Sequence, residues 1–168
     1  NIWAYARVDS LRDPLLEKMK RAGVNWLALG IESGNPRVRK DVRKHFAPEK
    51  LTEALERLRK HDIAVCGNYI FGLPEDDEKS MQDTLNLALE VNAEWANFYC
   101  AMAYPGSALY ERAVAEGWPL PSSWSGYSQL SVDTFPLPTR YLSPAEVLRF
   151  RDQAFQTYYT NPNYLDMI

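Results

Sequence analysis

Residues 63–77 read IAVCGNYIFGLPEDD, and the fold turns on how this stretch is divided. Ile63–Phe71 is rich in β-branched and aromatic residues and predicts a buried strand. Gly72-Leu73-Pro74-Glu75 follows without a spacer and cannot continue a strand, while Asp76 or Asp77 is placed to cap a helix. Met81, Leu85, Ala88 and Leu89 then recur at helical spacing. A buried strand that runs through a glycine turn into an amphipathic helix is half of a parallel βαβ unit.

The same unit repeats on either side. Ile2–Val8 predicts a strand, with Asp13-Pro14 opening a helix whose apolar face is Leu15, Leu16, Met19 and Ala22, stopped by Gly23. Trp26–Ile31 predicts the next strand. Asn35-Pro36 opens a short helix carrying Val38 and Val42, and a second helix from Pro48 turns Leu51, Leu55 and Leu58 inward. Trp95–Met102 predicts a fourth strand, followed by a helix over Ser107–Glu116. The fold class is therefore α/β, a partial (β/α) barrel of about four parallel strands with outer helices, occupying residues 1–117. Residues 118–168 predict a loop-and-helix C-terminal extension. It has an irregular aromatic segment to Arg140, then a capping box at Ser143–Glu146 that opens a helix facing Val147, Phe150, Ala154, Phe155 and Tyr158 to the core, ended by Asn161-Pro162.

Right-handed crossovers place every strand's C-terminal end on one rim, where ligand sites of such sheets lie. The four ends are Arg7-Val8-Asp9, Glu32-Ser33-Gly34, Gly72 to Glu75, and Tyr104 to Ser107. Alternation puts Glu32 on one face with Ala28 and Gly30, and Tyr5 with Arg7 and Asp9. Each rim residue has a functional and an architectural reading. Glu32 contacts a ligand or caps a helix, Gly72 admits a ligand or makes a turn, and Arg7 with Asp9 binds a ligand or forms an internal ion pair. Trp118, Trp124, Tyr127, Phe135 and Tyr141 face a flat substrate or pack a long loop.

A net charge of −3 argues against nucleic acid as partner. No apolar run spans a membrane and no leader is visible. Two cysteines inside apolar strand patterns, Cys66 and Cys100, point to buried thiols and a reducing, cytoplasmic setting. His45 and His61 sit among charged helical residues and read as surface groups, with no metal ligand set. The chain opens inside a strand pattern without an initiator Met, which reads as a piece of a longer protein. Four parallel strands do not close a barrel. The first strand is thus expected to be an open edge, with an open groove on the inner face and self-association through either.

In order along the chain, LALGIESGNPRV (27–38), GNYIFGLPEDD (67–77) and YPGSALY (104–110) resemble the second half of the core domain of radical S-adenosylmethionine (radical SAM) enzymes. The tail, LSPAEVLRFRDQAF (142–155) and YYTNPNYL (158–165), is similar to the subgroup with an upstream cobalamin-binding domain. That subgroup includes anaerobic magnesium-protoporphyrin IX monomethyl ester cyclase-like proteins. The resemblance implies a parent enzyme that cleaves SAM reductively at a [4Fe-4S] cluster to start radical chemistry, with cobalamin as a further cofactor. Oxidative cyclisation, methylation and related outcomes, on a small organic or tetrapyrrole-like substrate, fall within that class. It assigns SAM contacts to Glu32 and Ser33, to the pattern Asn68, Ile70, Gly72 and Glu75, and to Arg7. No catalytic residue and no cluster ligand is assigned, because the family's C-x3-C-x2-C loop has no counterpart here. A fragment without that loop would be inactive alone and would need the N-terminal part of its own chain. The competing class is a non-catalytic α/β module that binds a partner or nucleotide.

Overall fold

The computed structural model describes residues 1–41 and 48–168. Four strands, β1 (Ile2–Ala6), β2 (Val24–Glu32), β3 (Ala64–Phe71) and β4 (Trp95–Cys100), form one parallel sheet in the order of the chain. Between them run α1 (Asp13–Arg21), α2 (Pro36–Asp41), α3 (Pro48–Lys60) and α4 (Glu78–Val91). Sequential parallel neighbours joined by helices of one hand put every helix on the same face, so the sheet is an arc of a barrel wall. After β4 come α5 (Ala108–Ala115), α6 (Pro144–Tyr159) and α7 (Pro162–Met167).

The core lies between sheet and helices. Leu27, Leu29 and Ile31 of β2, Val65, Tyr69 and Phe71 of β3, and Ala96, Phe98 and Cys100 of β4 point outward into it. They meet Leu16 of α1, Leu51, Leu55 and Leu58 of α3, and Met81, Leu85 and Ala88 of α4. α6 belongs to the same core through Val147, Ala154 and Tyr158, and Phe98 is packed by edge contacts from Phe155 and Tyr158. The alternate residues Trp3, Tyr5, Trp26, Ala28, Gly30, Cys66, Asn68, Ile70, Trp95, Asn97 and Tyr99 form the inner face.

The element order agrees with the sequence reading, and the local differences have physical causes. The first strand ends at Ala6 rather than Val8, because Val8–Ser10 curl into a 3-10 turn whose Ser10 N–H and hydroxyl both donate to Arg7 O. Asp13 does not cap α1. It is the first helical residue, and its carboxylate is drawn to Lys60 and His61, whose bonds hold its pKa down at about 2. The α1 face is narrower than expected, with Leu16 buried and Met19 half-buried, whereas Leu15 and Ala22 are exposed. His61 is no free surface group, since Nε2 lies 3.0 Å from Asp13 Oδ1 and the ring is largely covered. Asn161-Pro162 both ends α6 and starts α7, because Asn161 accepts from the Asn163 N–H as a cap. His45 and Val42 lie outside the described residues.

Candidate functional site on the inner face

A groove of about 440 Å³ lies on the inner face at the C-terminal strand ends, lined by Tyr5, Arg7, Ala28, Gly30, Glu32, Asn68 and Tyr99. Its floor is low because Ala28 and Gly30 on β2 carry almost no side chain between Tyr5 of β1 and Asn68 of β3. A second cavity, of about 300 Å³, lies on the outer side between α2, α3 and α4. The strand ends favour the inner groove, since that is where loops of this architecture converge.

Glu32 enters the groove through an irregularity. The β2–β3 register shifts between Gly30 and Glu32, and Glu32 adopts φ of 69°, a left-handed conformation that glycine would take without strain. Such a backbone costs a non-glycine residue on the order of 1 kcal/mol, and it persists only where the surroundings impose it. Here the next three residues impose it. Thr84 of α4 donates its hydroxyl to Ser80 O, so it accepts from the Gly34 N–H (2.9 Å) and from Ser33 (3.1 Å). Asn35 donates to Asp83 at 2.9 Å, and Arg39 donates to Ser33 O at 2.7 Å. A Cβ on Gly34 would lie 2.4 Å from Asp83 O, so only glycine permits the approach. Ser33 is therefore buried away from the groove, and Glu32 is the member of this segment that faces it.

The turn after β3 is organised from the opposite side. Gly72 has φ of 76°, and a Cβ there would come within 2.5 Å of Val147 Cγ1. The group that needs its bare backbone in the fold is thus α6. Asp76 closes the turn: one carboxylate oxygen accepts the Leu73 N–H at 3.0 Å and the other accepts the Ser80 hydroxyl at 2.6 Å. Burial pushes its pKa up to about 6, against the opposing pull of those hydrogen bonds. Asp77 is the helix cap, in a reciprocal box with Ser80. Glu75, the acid chosen from the sequence pattern, instead lies among guanidinium groups, 3.1 Å from Arg140 and 3.8 Å from both Arg37 and Arg112. Asp76 is the residue that the pattern missed. Its signal was the serine four positions on, one helical turn away.

The remaining members divide. Asn68 lies at mid-groove, with its Oδ1 accepting from Asn97 Nδ2 at 3.0 Å. Ile70 packs with Val38, Leu73 and Ala101 beneath the rim, beside the groove rather than in it. Arg7 borders the groove and holds Asp9 in a two-pronged pair at 2.9 and 2.8 Å, which raises the guanidinium pKa. Of the aromatic residues in the extension, Tyr127 is buried and Trp118 half-buried, while Trp124, Phe135 and Tyr141 are exposed. Tyr127 links Trp124 (5.9 Å) to Tyr104 at the end of β4 (6.1 Å).

The groove suits an organic ligand with polar groups, since a carboxylate, an amide and phenols surround a low, partly apolar floor. An iron–sulfur cluster does not fit the described residues. Cys66 is on the inner face and Cys100 on the outer, and burial raises both thiols to about 11. Among the described residues no group of His, Cys, Asp or Glu is arranged to hold a metal, and no helix is long and apolar enough to cross a membrane.

Residues 6–88 match the Radical SAM superfamily model, and with them the chain belongs to that superfamily. It is 25% identical over 162 residues to an uncharacterised methyltransferase of Pyrococcus horikoshii, covering 96% of this chain and 35% of that protein. It is 34% identical over 110 residues to the bacteriochlorophyllide d C-12(1)-methyltransferase of Chlorobaculum tepidum, covering 64% of this chain and 24% of that protein. The fold matches a radical SAM methyltransferase of Kitasatospora setae solved with cobalamin and a [4Fe-4S] cluster. The TM-score is 0.63 at 15% identity, over 88% of this chain and 30% of that one. The chain thus spans well under half the length of the relatives it matches. The partial (β/α) barrel expected from the sequence is the fold observed.

Proposed function

We propose that this chain forms the SAM- and substrate-facing half of the partial barrel in a radical SAM enzyme, residues 1–117 building the wall and 118–168 sealing its last edge. Bound at such a rim, SAM would yield a 5′-deoxyadenosyl radical if a [4Fe-4S] cluster held by the parent protein supplied the electron. The parent protein supplies the cluster from outside the described residues. The part this chain plays is binding and orientation. Glu32 accepts hydrogen bonds from hydroxyl or ammonium groups, Ala28 and Gly30 leave room for the ligand, and Asn68 adds an amide. Ile70 and the Gly72 backbone back the adenine side, and Arg7 offers a cation at the open end. Ser33 and Glu75 act through their neighbours, fixing the Glu32 backbone and the arginine cluster.

The observation that carries this reading is Glu32, held in a left-handed conformation over a floor of Ala28 and Gly30, within the matched residues. The names of two relatives, an uncharacterised methyltransferase and a bacteriochlorophyllide methyltransferase, support methyl transfer to an organic, tetrapyrrole-like substrate over oxidative cyclisation, and the resemblance of the tail adds cobalamin as methyl carrier to this proposal. Two unpaired, buried thiols support a reducing, cytoplasmic setting. The test uses the longer protein, reconstituted with iron and sulfide without oxygen and given SAM and reductant. Mass spectrometry is expected to find 5′-deoxyadenosine, reduced at least about tenfold by Glu32→Ala in folded protein. A folded, cluster-loaded protein that forms none, with or without substrates of this class, would contradict the reading.

A further inference from the structure

Asn68 lies opposite Gly30 on one side and Asn97 on the other. Gly30 brings no side chain to meet it, so the hydrogen bonding of Asn68 is set from β4. One group there fixes the direction of the whole chain. The Trp95 indole N–H can only donate, and it meets Asn97 Oδ1 at 3.0 Å. Asn97 must then turn Nδ2 the other way, where it donates to Asn68 Oδ1 at 3.0 Å and to Cys66 Sγ at 3.3 Å. The Cys66 thiol also points at Asn68 Oδ1, at 3.9 Å. With its oxygen committed to β4, Asn68 has Nδ2 left on the groove side. A flipped Asn68 would set two NH2 groups against each other.

We propose that Trp95 and Asn97 are positioning residues that set the polarity of the groove, holding Asn68 so that it offers a bound ligand a hydrogen-bond donor and not an acceptor. The groove then selects, at this point, a ligand with a neutral acceptor atom such as a ring nitrogen or a hydroxyl, ether or carbonyl oxygen, and refuses a group that only donates. Neither Trp95 nor Asn97 lines the groove; their influence passes through Asn68. This inference rests on reading the groove as the SAM and substrate site.

The test reverses the polarity from a distance. In Asn97→Asp the carboxylate still accepts from Trp95 but has no N–H for Asn68, so the Asn68 amide turns and shows its oxygen to the groove. Asn68→Asp shows an oxygen there directly, and Trp95→Phe removes the anchor. SAM is titrated calorimetrically into the oxygen-free longer protein, and NMR follows hydrogen exchange of the Asn68 side-chain NH2. Both aspartate variants are expected to weaken SAM about tenfold, and Trp95→Phe several-fold. The Asn68 NH2 is expected to exchange more slowly in Asn97→Asp, where it donates to a carboxylate. Folded Asn97→Asp that binds SAM as the unaltered protein does would overturn the proposal. So would unchanged NH2 exchange. If the unaltered protein binds no SAM, the functional reading fails, and the exchange measurement still decides whether the relay exists.

Discussion

The two edges of the sheet are treated in opposite ways. Beyond β4, side chains stand in for a missing strand. The Tyr159 hydroxyl donates to Ala96 O (2.8 Å) and accepts from Ala96 N (3.1 Å). The Gln129 amide does the same for Cys100, with distances of 2.8 and 2.9 Å. Leu137 N donates to Ala101 O, so the edge is satisfied past the end of the strand. Arg151 in turn holds Gln129 through its carbonyl. At β1 no described strand pairs with the outer edge, and the inner-face side chains Trp3 and Tyr5 are 52% and 80% exposed. An open row of backbone donors and acceptors invites another strand, whereas a row already paired with side chains rejects one. The wall is closed off at β4 and left open at β1 among the described residues, and we propose that the N-terminal part of the parent protein continues it there.

The largest effect is expected where the finished side is locked. Gly72→Ala forces a Cβ against Val147 at a backbone angle that alanine resists, and should cost about 3 kcal/mol or more in chemical denaturation. Adding Val147→Ala removes the collision but not the angle, so it should recover only part of the loss. Full recovery would mean that α6 contact alone demands the glycine, and no loss at all would separate α6 from the sealing of this edge. A smaller effect is expected from Gln129→Ala, which strips two bonds from Cys100. A loss of about 2 kcal/mol is expected by the same assay, with increased association at higher protein concentration in light scattering. If stability and association stay unchanged, water replaces the amide and the edge is not sealed by it.

Much of this architecture was legible in the sequence because it depends on local pattern. Period-2 and period-3.6 spacing located all four strands and the helices between them, and Ser143 with Glu146 marked the start of α6 with its reciprocal cap. What the sequence reading did not show shares a cause, which is a partner distant in the chain. Asp13 looked like a cap, but Lys60 and His61 reach it from the end of α3 and beyond. Ser33 looked like a ligand contact, yet its partner Thr84 lies across a helix in a later unit. Among three consecutive acids, only the path of the turn decides that Asp76 faces in and Glu75 faces out to arginines. Gln129 and Tyr159 carry no local signal, since their function is to lie beside a strand edge whose partners stand 29 and 63 residues earlier. Glu32 was found as a residue type on the correct face. Its left-handed backbone, which turns the carboxylate into the groove, was not.

The most direct measurement compares backbone amide hydrogen exchange of the 168-residue chain with that of the longer protein. Ala96 and Cys100 on β4 are expected to be protected in both. The outward amides of β1 should exchange fast in the 168-residue chain at low concentration and become protected in the longer protein. Equal protection of β1 in the two would contradict the claim that the wall continues from that edge.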